Sequence, residues 1–501
     1  MSKAPSRQRA TPSLKLHEIG NPLCAAGKSA PAVQLRLLDQ DLKDRSAGTG
    51  LPRLPASFRG QIGERVELPL ASGRLIVVGC GKTSGAAEEG SYWEAAGAAA
   101  IDALRALKID RAALSGALLP LAGDAAAAAQ HFAIGASLAS YRCVAYRQSP
   151  PKDHFEVKAL ALSGVDWKAS LRGRELGDAI NWARALVDAP ANLLNPQTFA
   201  TEITSLRALG VEVEILDMKA LERLGAGGLL AVGRGSVNSP CMVVCRWQGR
   251  KSKRNDLGLV GKGLTFDAGG YNLKFPPGLN KMKLDMAGAA AVVAALRVLA
   301  TRKAAVNVVA ALPLCENLID ADAYRPGDVI TSLAGLTIEV DNTDAEGRIV
   351  LADGISHLIK AHQPRLLVDV ATLTGAITVA LQEEYAGLFT TDEALAGALS
   401  DAAERSGDAL WRMPLTKRHD YLVESEIADV RNIGAPGTFG ASGGSAIAGA
   451  KFLERFAEGT RWAHVDIAGT AWSTRPRPGI PRGATGYGVR LIDALADRLP
   501  Q

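Results

Sequence analysis

The sequence predicts an α/β protein: a small N-terminal α/β domain, then a larger C-terminal α/β domain whose mostly parallel mixed sheet is flanked by helices. Three observations carry this. The chain has 501 residues, too many for one ordinary domain. Hydrophobic residues make up 47% and aromatics only 5%, with Gly and Ala abundant, which favours tightly packed layers over an aromatic-rich sandwich. From about residue 192 onward, apolar strands alternate with helices in a βαβ rhythm.

The first 50 or so residues are poor in periodic signal and end in a Gly/Pro-rich stretch, so a loop is expected there, with residues 1–15 a disordered tail. R-L-I-V-V-G (74–79) reads as a buried strand, followed by an Ala-rich helix over 92–107, a strand near 112–118, a helix over 125–142 and a closing strand at 157–163. Residues 1–165 form the first domain on this reading, and 166–190 supply a linking helix. Residues 191–501 form the second domain, with strands at 211–216, 242–246, 257–261, 305–311, 336–341, 366–371 and 463–467. Its clearest helices are 286–300 and 347–360. In such sheets the ligand site lies beyond the carboxyl ends of the strands.

No run reaches about 18 uncharged apolar residues, so no membrane span is expected. The basic start has no apolar stretch behind it and does not read as a secretory signal. The six cysteines are scattered, and Cys241 and Cys245 fall in an apolar strand-like run, so buried free thiols and a reducing cytoplasm are expected. Residues 1–165 hold 20 Lys and Arg against 14 Asp and Glu, a net of +6. That excess admits DNA as a partner, but no basic run interleaves with aromatics, and a solvated surface with a basic tail is the favoured reading.

Two motifs are set aside. G-C-G-K-T (79–83) resembles the end of a phosphate-binding loop, but Ile76 stands where its first Gly is required. G-A-S-G-G (440–444) matches the nucleophile-elbow pattern without a strand before it. The seven histidines never pair at ligand spacing, so a metal would be held by carboxylates.

Two segments carry the chemistry. One runs G-K-G-L-T-F-D-A-G-G-Y-N-L-K-F (261–275) and on through M-K-L-D to Asp285; the other is D-N-T-D-A-E-G-R (341–348). Asp267, Asp285, Asp344 and Glu346 repel one another unless strong positive charge sits among them, and such oxygen-rich clusters suit paired divalent metals that perform hydrolysis. Gly347 is expected to permit a tight turn, and Asp285 to sit at the start of an Ala-rich helix, where a carboxylate is favoured. Arg348 is placed to hold an anion where its helix opens.

With these motifs the chain resembles the leucyl aminopeptidase (cytosol aminopeptidase) family of dinuclear metallopeptidases. N-T-D-A-E-G-R is that family's signature, and D-V-A-T-L-T-G-A (369–376) and W-A-H-V-D-I-A-G-T-A-W (462–472) match in order. The resemblance runs from about residue 180 to the end. It implies an aminopeptidase that removes N-terminal, Leu-like residues from peptides, using two divalent ions, Mn²⁺ or Zn²⁺. Asp267 and Glu346 would bridge the metals, Asp344 would complete one site, and Lys262 and Asp285 the other. Lys262 would then need its pKa driven down. A hydroxide bridging the metals would attack, Lys274 would stabilise the gem-diolate, and Arg348 would hold a bicarbonate as proton relay. Met282, Thr372 and Gly375 would line the first side-chain pocket. The resemblance also implies a homohexamer, and some family members act additionally on DNA. Departures are mild: D-A-G-G and Y-N-L-K-F replace commoner forms, and the loop 435–445 is somewhat long.

Overall fold

The computed structural model describes residues 14–18, 33–41, 43–44, 52–71, 73–82, 89–114, 118, 124–434, 446–457 and 459–499. Residues 1–13 of the expected tail 1–15, the Gly-Ala-Ser-Gly-Gly stretch and the loop 435–445 lie outside them, whereas Lys15, expected in that tail, opens the strand Lys15–Glu18. The chain divides into two compact units, residues 1–182 with 475–482 and residues 183–474 with 483–501.

The first unit carries a six-stranded sheet. Its order is Lys15–Glu18, Ala159–Leu162, Arg111–Leu114, Val33–Leu38, Gly73–Gly79 and Arg65–Leu70, parallel except at the last pair. Helices Glu89–Ala106 and Ala125–Ser140 pack against each other, and their Ala-rich faces join the strands in one core. Val33–Leu38 is a strand that the weak periodicity of the first 50 residues did not signal. It is a central strand whose residues are nearly all buried, so it alternates too little to signal itself by period. Where the strand Gly73–Gly79 ends, the backbone donors are not free for a phosphate: Gly79 N, Cys80 N and Gly81 N donate to Glu64 O, Leu38 O and Gly60 O.

The second unit is built on a nine-stranded mixed sheet. Its path runs Leu410–Arg412, Ala386–Phe389, Trp462–Asp466, Leu366–Ala371, Leu257–Gly261, Asn307–Asn317, Cys241–Gln248 and Glu212–Leu216, with Gly263–Asp267 paired onto the end of Asn307–Asn317. The central strands are parallel and wholly buried, as expected for a sheet covered on both faces. Alternation along Leu257–Gly261 shows the two layers. A Cβ on Gly354 of helix Glu346–His357 would meet Val260, and a Cβ on Gly261 would meet the backbone of Ala289 in helix Ala287–Thr301. The stretch Leu279–Thr301 is long and apolar enough to cross a membrane, but 83% of its apolar 18-residue window is buried inside the protein.

One expected strand sits elsewhere. Residues 336–341 do not join the main sheet: Thr337–Glu339 lies in a separate three-stranded sheet with Val329–Thr331 and Val430–Arg431. The strand Gly263–Asp267 was not expected, because it follows Leu257–Gly261 after a single residue and reads as its continuation. Cys241 and Cys245 are free and buried in a strand, and burial pushes both thiols up to about 12.

Candidate active site

The site gathers at the carboxyl ends of the central strands. Lys262 follows Leu257–Gly261, Asp267 closes Gly263–Asp267, and Thr372 follows Leu366–Ala371. Asp285 is carried by the 3-10 segment Leu279–Met286, and Glu346 and Arg348 lie in the first turn of helix Glu346–His357. Asp344 comes from the loop between the small sheet and that helix, not from a main-sheet strand. Asp285 does not cap the helix after it; its carboxylate turns to Lys262 and Thr372.

These residues meet. Lys262 Nζ donates to Asp285 Oδ1 at 2.8 Å and to the Thr372 carbonyl at 2.9 Å, and lies 2.9 Å from Glu346 Oε1. Lys274 Nζ lies 2.8 Å from Asp267 Oδ2 and also contacts Asp344. Carboxylate oxygens of Asp267, Asp344 and Glu346 fall within 4.8 Å of one another. Thr372 Oγ1 donates to Asp285 Oδ1 at 2.7 Å, so the hydroxyl supports the acidic cluster. Met282 is half-buried three residues before Asp285, and Gly375 is exposed, with open space where a Cβ would be.

Gly347 is needed for another reason than a turn. Its φ is not positive, but a Cβ there would lie 2.6 Å from Lys262 Nζ. The helix backbone is the floor on which the Lys262 side chain rests.

The electrostatics follow from crowding. Burial, opposed by Lys262 and reinforced by Asp267 and Glu346, pushes Asp285 up to about 8. Burial, together with Glu346 and Asp267, pushes Asp344 up to about 7. Burial and Asp267 raise Glu346 as well. Burial pulls Lys262 down, but Asp285, Glu346 and Asp267 outweigh it and raise the ammonium above its ordinary value. The lowered amine expected of a ligand therefore needs stronger positive charge than these residues contain. Burial lowers Arg348 to about 10, which leaves it charged at neutral pH.

The donor set fits a pair of divalent cations. Four carboxylates outnumber the two lysines, and Glu346 Oε2 is buried with no hydrogen-bond donor among the described residues. Arg348 Nε and Nη1 are likewise buried without acceptors among the described residues, which fits a small anion.

Sequence reasoning missed the supports. Thr343 Oγ1 donates to Gly269 O at 2.7 Å and accepts from Asn272 N, while Asn432 Nδ2 donates to Asn342 O at 2.7 Å. Beneath the sheet end, Asp369 accepts from Trp462 Nε1 at 2.7 Å and pairs with His464 Nδ1 at 2.5 Å. Thr343, Asp369 and His464 lay within quoted motifs, but their partners come from distant segments that no spacing links to them.

Comparison with known proteins gives the family. Residues 181–492 match the catalytic domain of the cytosol aminopeptidase family, and residues 56–150 match its N-terminal domain. A probable cytosol aminopeptidase of Gluconobacter oxydans is 42% identical over 461 residues, covering 90% of this chain and 91% of that protein. One of Methylobacterium radiotolerans is 42% identical over 452 residues, covering 87% of each. Among solved structures, the bottromycin maturation enzyme BotP in complex with Mn superposes with a TM-score of 0.81 at 34% identity, covering 93% of this chain and 99% of that one. The chain belongs to the cytosol aminopeptidase family, with both of its domains, and is a peptide-bond hydrolase of the metal-dependent aminopeptidase kind.

Proposed function

We propose that the protein releases the N-terminal residue of peptides, with a preference for Leu-like side chains, at a two-metal centre. The observation that carries this is the convergence of Asp267, Asp344 and Glu346 within 4.8 Å, with Lys262 and Asp285 in contact beside them. Asp267 and Glu346 would bridge the ions, with Asp344 completing one site and Lys262 and Asp285 the other. When bound, the metals supply Lewis acidity that activates water and polarises the scissile carbonyl.

The chain's own groups do the rest. Lys274, whose ammonium already lies among the carboxylates, donates to the oxygen that gains charge as the carbonyl is attacked. Arg348, buried with two donor nitrogens that have no acceptor among the described residues, would hold bicarbonate, an anion that would supply a proton relay beside the reacting groups. Asp285 pairs with the substrate's free ammonium, which restricts action to chain ends. Met282, Thr372 and Gly375 would line the pocket for the first side chain.

The carboxylate donors favour Mn²⁺ and the amine of Lys262 favours Zn²⁺; the manganese complex of the similar BotP enzyme supports Mn²⁺. A cytoplasmic homohexamer is the proposed working form. The test is hydrolysis of leucine p-nitroanilide after exhaustive chelation and after Mn²⁺ or Zn²⁺ is restored. Activity should vanish and return; activity that survives complete metal removal overturns the reading.

A further inference from the structure

Asn317 ends the long strand Asn307–Asn317 and has no exposed surface. Its register partner is Asp267, and its backbone carbonyl accepts from Ala268 N at 2.9 Å. Its side chain reaches both halves of the metal site. Asn317 Nδ2 donates to Asp267 Oδ1 at 2.9 Å and to the Thr343 carbonyl, one residue before Asp344, at 3.0 Å. Both neighbours are acceptors, so the amide must present its NH₂ group to them.

Asp267 Oδ1 also accepts from Gly269 N at 2.9 Å. Two donors thus occupy one carboxylate oxygen, and the other, Oδ2, is left to face Lys274 and the cluster. The Thr343 carbonyl likewise has two donors, Asn317 Nδ2 and the buried Tyr324 hydroxyl at 2.7 Å. The far side of the amide is closed as well: a Cβ on Gly270, whose φ is +63°, would lie 2.9 Å from both Asn317 Oδ1 and Thr343 Oγ1. Turning the amide over would set its carbonyl oxygen against two acceptors, so these two hydrogen bonds fix its orientation.

We propose that Asn317 is a positioning residue that sets the distance and orientation between the ligand segments of Asp267 and Asp344, and so the geometry in which two divalent cations are held. It rests on the metal assignment of Asp267 and Asp344 above. An amide does this where a carboxylate or an apolar group does not, because it donates to a carboxylate and a carbonyl at once without adding charge. Partners of this kind behind metal ligands change affinity by about 10–100-fold when removed.

The test is Mn²⁺ titration of the metal-free full chain by calorimetry, with apo melting temperatures measured alongside. N317A should bind Mn²⁺ at least tenfold more weakly than wild type, with both ions affected because Asp267 is assigned to both. Y324F removes one hydroxyl and leaves Asp267 Oδ1 untouched, so it should weaken binding by a smaller factor and serves if N317A fails to fold. At saturating Mn²⁺, Y324F should lower kcat for leucine p-nitroanilide more than it raises KM. A residue that only stabilises the fold would lower the apo melting temperature and leave Mn²⁺ affinity as it is; that result in both variants overturns the proposal. Wild type that takes up no Mn²⁺ overturns the metal assignment, and the positioning role with it.

Discussion

Lys274 Nζ lies 2.8 Å from Asp267 Oδ2 and touches Asp344 as well, so one ammonium spans two segments of the acidic cluster. Unlike Lys262, it has no hydrogen bond to backbone at its tip among the described residues, and its side chain keeps 23% of its surface exposed. An ammonium so placed is suited to swing onto an oxyanion. Lys274→Ala should keep both metal ions and lose about 10²–10³-fold in kcat, the scale of removing one oxyanion donor. Metal content by mass spectrometry and steady-state kinetics check this; unchanged turnover would remove Lys274 from the chemistry.

Gly347→Ala tests the close approach of the helix to Lys262. The added methyl would lie 2.6 Å from Nζ and against the side-chain carbons, so Lys262 must leave its place between Asp285 and Glu346. The variant should fold, because the φ at 347 is not positive, but should lose affinity for one metal more than for the other. Equal loss at both sites in a calorimetric titration would contradict the assignment of Lys262 to a single site.

What could be read in the sequence was set by locality. The strands 257–261 and 366–371 were placed to the residue because apolar runs bounded by polar groups mark buried parallel strands. The metal-site carboxylates were legible because two short segments carry them. Val33–Leu38 was hidden by being buried on both faces, and 336–341 resembled a main-sheet strand because period alone does not say which sheet a strand joins. Asn317, Tyr324 and Asn432 were invisible for a stricter reason. Their roles exist only through hydrogen bonds to Asp267, Thr343 and Asn342, contacts that the fold makes between distant stretches.

The raised carboxylates give a pH prediction. In the metal-free protein Asp285 is pushed up to about 8 and Asp344 to about 7, both by burial first. A folded pKa above the unfolded value, about 4 for Asp, gives stability that is fully present below pH 4 and lost as pH rises through the folded pKa. The metal-free protein should therefore lose melting temperature between pH 4 and 8 through these two groups, and Asp285→Asn should flatten that slope. Metal binding needs the ionised carboxylates, so Mn²⁺ affinity should tighten from pH 6 to pH 8 with release of protons. An affinity that does not change over that range would count against these two groups as ligands.

Asp369 and His464 test the ground beneath the site. Both are fully buried on adjacent central strands, and their 2.5 Å contact is extended by Trp462 Nε1, which donates to the other carboxylate oxygen at 2.7 Å. The His464 ring stacks on Phe389 with centroids 5.8 Å apart. Burial pulls the imidazole down, but Asp369 outweighs it and raises the group above its ordinary value. Removing the carboxylate leaves a buried imidazole and a buried indole N–H without their acceptor. Asp369→Ala should cost about 3–5 kcal/mol, as for breaking one side of a buried pair. Asp369→Asn keeps the shape and one acceptor and should cost less. Because His464 is raised, the pair's contribution is fully present below the unfolded His pKa, about 6.5, and declines as pH rises through the folded value. The wild-type advantage over Asp369→Asn, read from urea unfolding, should therefore shrink toward alkaline pH; an advantage that grows there would show that His464 is held neutral.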